Sequence, residues 1–440
     1  MQALLPPGNG SFELNEIVPR SERNRTPLAI ALCTVINMID GFDILAISFT
    51  APAIGREWHL GPEVVGLLFS AGLAGMTLGA LFLSPFADWK GRKSTLVWAL
   101  GLVAVAMTCS ALSIGIATLI VVRLATGAGV GAIMPTINTI TAESGFSRRD
   151  VAVSIQGAGF PLGGFLGGVI TLAIPTANWR WIYFAGAGLS VLLLLAVAIS
   201  LPRVRKSAAD STDDRAPILT EINLRRRVGS LIDARVGRSS GLICFCFFLL
   251  MFTFYFLTNW TPTLLTRLGL SAKIGVSGSI LMNAGGILGD VAFTLLLLRW
   301  SASRVGVAFL ALCFGTVVLF AYVPLILVAI LPVALLMGFL LFGSMLSLYA
   351  VVPLVYPGHA RAGGTGFALG IGRIGATVGP YVGGLLIGAG WTRDMFLLTM
   401  AVPLIACAVL LQVLARRLDG NRSSIAPDVV ISVPGARAPS

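Results

Sequence analysis

The sequence predicts an all-α membrane protein of twelve spanning helices arranged as two pseudo-symmetric six-helix halves, and three observations carry that prediction. The 440 residues are 56% hydrophobic and only 11% charged, with a mean hydropathy of +0.90, where a soluble domain is about a quarter charged. Twelve apolar stretches occur, each near the roughly 20 residues needed to cross about 30 Å of hydrocarbon. A single long polar interruption, residues 202 to 238, separates six of them from the other six.

The predicted helices 1 to 6 cover residues 27–54, 62–86, 94–113, 116–140, 151–174 and 179–201, and helices 7 to 12 cover 239–266, 274–298, 304–321, 324–351, 362–388 and 394–415. The chain therefore divides into a tail (1–26), an N-terminal half (27–201), a linker (202–238), a C-terminal half (239–415) and a second tail (416–440). Residues 1 to 26 are polar and resemble no signal peptide, so helix 1 is read as its own insertion signal. The linker carries Asp210, Asp213, Asp214 and the run Arg225 to Arg227, with a short amphipathic helix expected around Leu219 to Ile232.

Charge sets the expected orientation. Of 31 Lys and Arg, 24 lie in the termini and even-numbered loops, five (Arg56, Arg180, Arg267, Lys273, Arg393) on the other side, and two inside helices. Cytoplasmic loops hold the basic excess, so both termini are expected in the cytoplasm of a bacterial inner-membrane protein. The net charge of +12 is thereby a topology signal and requires no nucleic-acid partner. The six cysteines fall within helices at no metal-ligand spacing and read as free thiols. His59 and His359 lie at opposite faces, which leaves no metal site and no catalytic triad; no cofactor and no enzymatic activity are expected.

A shift of 220 residues superposes Gly159, Gly163, Gly164 and Gly168 of helix 5 on Gly379, Gly383, Gly384 and Gly388 of helix 11. The shift points to two equivalent halves able to expose a central site to alternate sides. The glycines themselves fit rocking contacts and static packing equally well.

A charge at mid-bilayer costs roughly 2.5 to 3.5 kcal/mol on insertion scales, so each requires a partner, a cavity or a task. Asp40 and Asp43 sit three residues apart on one face of helix 1, with Asn37 a turn below. Arg123 in helix 4 reaches a similar depth and can pair with either acid, as a structural ion pair or as part of a proton-coupling set. Arg373 in helix 11 has no carboxylate on its own helix; it either snorkels or holds an anion bidentately. Asp290 in helix 8 reads as structural or gating. Among the many aromatics of helix 7, Tyr255, Asn259 and Trp260 are the candidates for a substrate-cavity wall, because their polar atoms need partners in hydrocarbon, and Asn283 of helix 8 is placed with them.

At this point the residues resemble a family. Gly79 to Lys93, with Asp88-Trp-Lys-Gly91-Arg92-Lys93, resembles the loop signature of the major facilitator superfamily, and Arg123-Leu-Ala-Thr-Gly-Ala-Gly-Val-Gly131 its helix 4 signature. Asp40-Gly-Phe-Asp43, the segment Tyr255 to Leu265 and Gly370-Ile-Gly-Arg373 to Pro380 resemble the aromatic acid:proton symporters. The resemblance implies that Asp40 and Asp43 serve transport and proton coupling, that Arg123 and Arg373 act in coupling or substrate binding, and that Asp88, Gly91 and Arg92 form a gate with Glu143 as a charge partner; Asn37, Tyr255, Asn259, Trp260 and Asn283 are the further candidate contacts to a small aromatic carboxylate. Ser84 and Trp89 depart from the loop signature, and Arg299 to Arg304 keeps no acid in the second-half copy, so control is expected to rest on the first-half gate. A monomer importing one aromatic acid with protons is the expected unit. The rival is a proton-coupled antiporter of drugs or organic anions, suggested by Gly379-Pro380-Tyr-Val-Gly-Gly384, which in antiporters belongs in helix 5.

Overall fold

The structure, a computed structural model, describes residues 25–84, 90–142, 152, 155–174, 178–200, 234–324, 326–357 and 360–425. The expected linker helix, tail residues 1–24 and 426–440, Asp88 and Glu143 lie outside the described residues. Twelve long helices are present among those described: α1 (Arg25–Glu57), α2 (Pro62–Leu78, continued by a π-helical turn Gly79–Leu83), α3 (Arg92–Ala111), α4 (Ile116–Ala142), α5 (Gly159–Ala173), α6 (Arg180–Ser200), α7 (Ala234–Arg267), α8 (Ala272–Leu296), α9 (Ala302–Tyr322), α10 (Leu327–Val355), α11 (Arg361–Gly388) and α12 (Arg393–Ile425). Eleven are long and apolar enough to span a bilayer by composition alone. The remaining one, α11, is glycine-rich and carries Arg361 and Arg373, yet its 28 residues extend about 42 Å at 1.5 Å per residue.

Three boundaries differ from the sequence reading by more than four residues, the first being the start of α5, expected at 151 and found at Gly159. α7 begins at Ala234, inside the expected linker, and α12 runs to Ile425, inside the expected tail. Apolar periodicity marks the part of a helix that meets hydrocarbon or protein, and a helix can continue past it into water on hydrogen bonds of its own.

The repeat is real in three dimensions. α5 packs on α1 and α8, while α11 packs on α7 and α2, so helices 5 and 11 occupy equivalent places in the two halves. The helix 4 glycines form a second repeat: a Cβ on Gly127 would collide with the Gly72 carbonyl, and one on Gly131 with that of Met76, so α2 and α4 touch backbone to backbone. The same contact recurs between α8 and α10, where Gly285 meets the Leu335 carbonyl and Gly338 that of Met282.

Contacts between the halves concentrate toward the face opposite the chain termini. There α2 meets α11 through Gly66 and Gly384, and α5 meets α8 through Gly168 and Ile280. Pro262 has no N–H to give the Thr258 carbonyl, and Ser48 Oγ of α1 donates there at 3.2 Å and to the Asn259 carbonyl at 2.6 Å. Nearer the terminal face, Gly366 and Gly370 of α11 have open space where a side chain would stand. A Cβ on Gly384 would lie 2.6 Å from the Pro62 carbonyl oxygen, so Gly384→Val is expected to keep this seam from closing. On the transport role that the resemblance implies, uptake should fall at least about tenfold at normal membrane levels of protein, a barrier change of roughly 1.4 kcal/mol; uptake assays beside quantitation of the purified variant check it.

Candidate functional site

The site is built on the mid-depth segments of α1, α4, α7, α10 and α11. Asp43 and Arg123 form the ion pair allowed by their depths: Nη1 of Arg123 donates to Asp43 Oδ1 at 2.5 Å and Nη2 to the Asp43 backbone carbonyl at 3.2 Å. Both side chains are 2% accessible. Gly72 of α2 makes room for the guanidinium, since a Cβ there would stand 3.0 Å from Nη2. Nε of Arg123 has no partner, so the pair is tight without saturating the guanidinium. Tyr183 of α6, fully buried and sharing a 3.2 Å hydrogen bond with Thr50, borders the same pair.

Asp40 is the neighbour of the other cation. Arg373 lies among Tyr255, Tyr349 and Asp40, so the arginine that lacked a carboxylate on its own helix gains one from α1. The two are electrostatic neighbours without a direct ion pair, and Asp40 Oδ1 is buried with no hydrogen-bond partner. Arg373 also reaches across the halves to the Met76 sulfur, at 4.0 Å. Tyr349 stands beside Arg373 within the bundle, yet 40% of its surface is accessible, which places this end of the site on open space.

Two acids and two guanidinium groups thus balance to zero formal charge, but unequally. Asp43 is committed to Arg123; Asp40 and Arg373 are neighbours without an ion pair, and Asp40 Oδ1 keeps unmet hydrogen-bonding capacity. This is the arrangement in which paired carboxyls can take different roles.

The remaining candidates separate. Pro161 leaves the Gly157 carbonyl without its helical donor, and Asn37 Nδ2 donates to it at 3.4 Å and to the Gln156 carbonyl at 2.8 Å, tying α1 to the start of α5. Asn259 Nδ2 donates to the Tyr255 carbonyl at 2.7 Å. Trp260 Nε1 donates to the Pro380 carbonyl at 2.8 Å, with its ring edge-on to Phe69 of α2 at 5.2 Å. The last two therefore fill the closed seam instead of a cavity wall; the partners their polar atoms required are backbone carbonyls. Asn283 is buried on α8 beside Gly164 of α5. Gly91 caps α3 with φ of 87°, a conformation that favours glycine, and Arg92 opens that helix and engages in interactions of its own.

Tyr183, Tyr349 and Met76 escaped the sequence reading. The polar-atom rule that selected Tyr255 applies equally to Tyr183 and Tyr349, but helix periodicity does not say which tyrosines face inward. Met76 carries no sequence signal at all.

The profile of the Major Facilitator Superfamily matches residues 31–353. The chain belongs to the Major Facilitator Superfamily. It is 30% identical over 428 residues to the 4-hydroxybenzoate transporter PcaK of Pseudomonas aeruginosa, covering 89% of this chain and 93% of that one. It is 29% identical to the gallate transporter of Pseudomonas putida, over 87% and 90% of the two chains, and 29% identical to the 3-(3-hydroxy-phenyl)propionate transporter of Escherichia coli, over 84% and 90%. Among solved structures, the xylose transporter XylE from E. coli superposes with a TM-score of 0.70 at 14% identity, over 88% of this chain and 96% of that one. The nucleoside transporter NupG does so with 0.69 at 16% identity, over 88% and 99%. This member of the Major Facilitator Superfamily is a transporter and not an enzyme.

Proposed function

We propose that this protein imports a small aromatic carboxylate together with one proton across a bacterial inner membrane, with both termini cytoplasmic and the monomer as the working unit. The observation that carries the reading is the unequal charge set: Asp43 paired to Arg123, and Asp40 beside Arg373 with an unsatisfied oxygen. A carboxylate arriving at Arg373 offers two oxygens to a planar fork of donors and displaces Asp40 as the neighbouring negative charge. The site then carries one excess negative charge in low dielectric, and a proton on Asp40 restores neutrality. Binding and protonation are thereby linked: neither is favourable without the other. The named activities of the relatives from Pseudomonas and E. coli, all on hydroxylated aromatic acids, agree with this substrate class.

With the terminal face taken as cytoplasmic, the closed seam lies outside and the structure stands with its site toward the cytoplasm. Return to the outer face requires the α2–α11 and α5–α8 contacts to part.

A monoanion moving with one proton carries no net charge. Uptake into proteoliposomes is expected to follow the pH gradient and to be insensitive to an imposed potential, whereas each net charge moved would add roughly 2.3 kcal/mol per 100 mV. The measurement records external pH on adding 4-hydroxybenzoate, with and without a potassium diffusion potential, corrected by protein-free vesicles. Protein-dependent alkalinisation of equal rate under both conditions is the expected result. A potential-dependent rate would overturn the one-proton stoichiometry, and acidification driven by a cationic drug would favour antiport.

A further inference from the structure

Five basic residues lie in the connections opposite the chain termini, and the fold gives them different surroundings. Arg180 is paired: Nη1 and Nη2 donate to the two carboxylate oxygens of Glu57 at 3.2 and 2.8 Å. Arg267 meets no hydrogen-bond or ion-pair partner among the described residues. It lines a cavity of about 210 Å³, together with Arg393, where α7 and α11 end and α12 begins.

Two helix ends of the same kind build this cavity. Gly269, with φ of 88°, closes α7 by donating to the Thr266 carbonyl at 3.2 Å, while the Leu270 N–H reaches that of Leu265. Gly390, with φ of 80°, closes α11 in the same way on Ile387, with the Trp391 N–H on Leu386. The turn at Gly390 brings Trp391 to the cavity wall, 40% accessible. Arg393 opens α12, where Nη1 donates to the Val323 carbonyl at 3.0 Å and Nη2 to that of Phe320. Those carbonyls fix the guanidinium at the end of α9 and take up two of its five N–H donors, but they bring no negative charge.

No carboxylate lines the cavity among the described residues. Asp394, beside Arg393 in sequence, directs its own at Thr392 and at the N–H groups of its first turn. Leu264, Leu268 and Ile387 make the rest of the wall apolar. The spanning stretch of α7 ends at Arg267 and that of α12 begins at Arg393, so the cationic and apolar walls meet at the depth where hydrocarbon gives way to headgroups, the depth at which Trp concentrates. A guanidinium group suits phosphate oxygens, and a soluble phosphate would leave the apolar wall unused. A phosphate carried on acyl chains uses both.

We propose that this cavity holds the headgroup phosphate of an anionic phospholipid, with Arg267 supplying the unpaired charge, Arg393 the fixed one and Trp391 the interfacial ring.

The test is tryptophan fluorescence of the full chain in phosphatidylcholine vesicles, with brominated-chain phosphatidylglycerol or brominated-chain phosphatidylcholine added in rising fractions, since bromine quenches an indole it touches. The difference between the wild type and Trp391→Phe isolates the Trp391 signal. Half-quenching of that signal should need about tenfold less brominated phosphatidylglycerol than brominated phosphatidylcholine. Arg267→Gln should cut this preference about fivefold, the factor expected of one arginine beside an anionic surface. Both altered residues are exposed, so neither change reaches the packed interior. Equal quenching by the two lipids in the wild type would overturn the proposal, as would a preference unchanged in Arg267→Gln. Inorganic phosphate, added at constant ionic strength, should leave the preference in place; its loss would make a soluble phosphate the occupant and overturn the lipid assignment.

Discussion

Asp43→Asn is expected to abolish pH-driven accumulation and to destabilise the bundle at the same time. Arg123 would keep its charge, with Nη1 deprived of its 2.5 Å carboxylate partner at a position 1% accessible. Breaking one side of a buried pair costs about 3 to 5 kcal/mol, because the remaining charge is left uncompensated. Removing both charges, in Asp43→Asn with Arg123→Gln, should recover much of the thermal stability and none of the transport. That contrast separates two roles expected of the pair: a structural contribution, which neutral groups can replace, and its share in the charge balance with Asp40 and Arg373, which they cannot. Melting of the purified variants and uptake in proteoliposomes measure the two readouts. Uptake by Asp43→Asn within about threefold of wild type, less than 1 kcal/mol of barrier, would show that Asp43 is a structural anchor alone.

The second large effect is at Arg373. Arg373→Leu should reduce the ratio of maximal rate to half-saturation concentration for an aromatic acid by about 100-fold or more, since truncating a charged partner in a desolvated site costs about 2 to 5 kcal/mol. Arg373→Lys should recover only part, because an ammonium keeps the charge but loses the planar fork that meets two carboxylate oxygens at once. In Arg373→Leu Asp40 also loses its neighbouring cation, so binding should lose its dependence on external pH, whereas Arg373→Lys should retain it. Unaltered half-saturation in Arg373→Leu would refute the assignment of the substrate carboxylate to this residue.

The two predictions draw on different parts of what sequence reasoning can see. Asp40, Asp43, Arg123 and Arg373 stood out without any structure, because a charge in a spanning helix is costly enough to demand an explanation, and depth counted along each helix brought Arg123 level with the helix 1 acids. Depth alone left Asp43 and Asp40 as equal partners for Arg123, however. The rotation of α1 decided it, pointing Asp43 toward α4 and Asp40 toward α11. Rotation about an axis is set by packing of the whole helix, here by close approaches such as that of the Gly159 position to Thr34 and Asn37, and a three-residue spacing does not specify it.

Trp260 and Asn259 show the converse. Their polar atoms were correctly recognised as needing partners, but a helix carbonyl has two lone pairs and can accept a second hydrogen bond, and the Tyr255 and Pro380 carbonyls supplied the bonds to Asn259 and Trp260. Asn283 carries the same sequence signal with the opposite outcome, an acceptor still unmet. No property of the residue distinguishes the two cases; the surroundings do.

What the sequence determined by itself was the number of spans, the division into halves, the repeat of helix 5 in helix 11 and the identity of the buried charges. Each depends on composition, period or an energetic cost that is local to the chain. What only the tertiary structure decided was which acid pairs with which arginine, which seam is closed, and that Tyr349 and Met76 border the site. Those depend on how helices far apart in sequence turn toward one another, and in a bundle whose close contacts are made by glycine backbones, the rotation is written in where a side chain is missing.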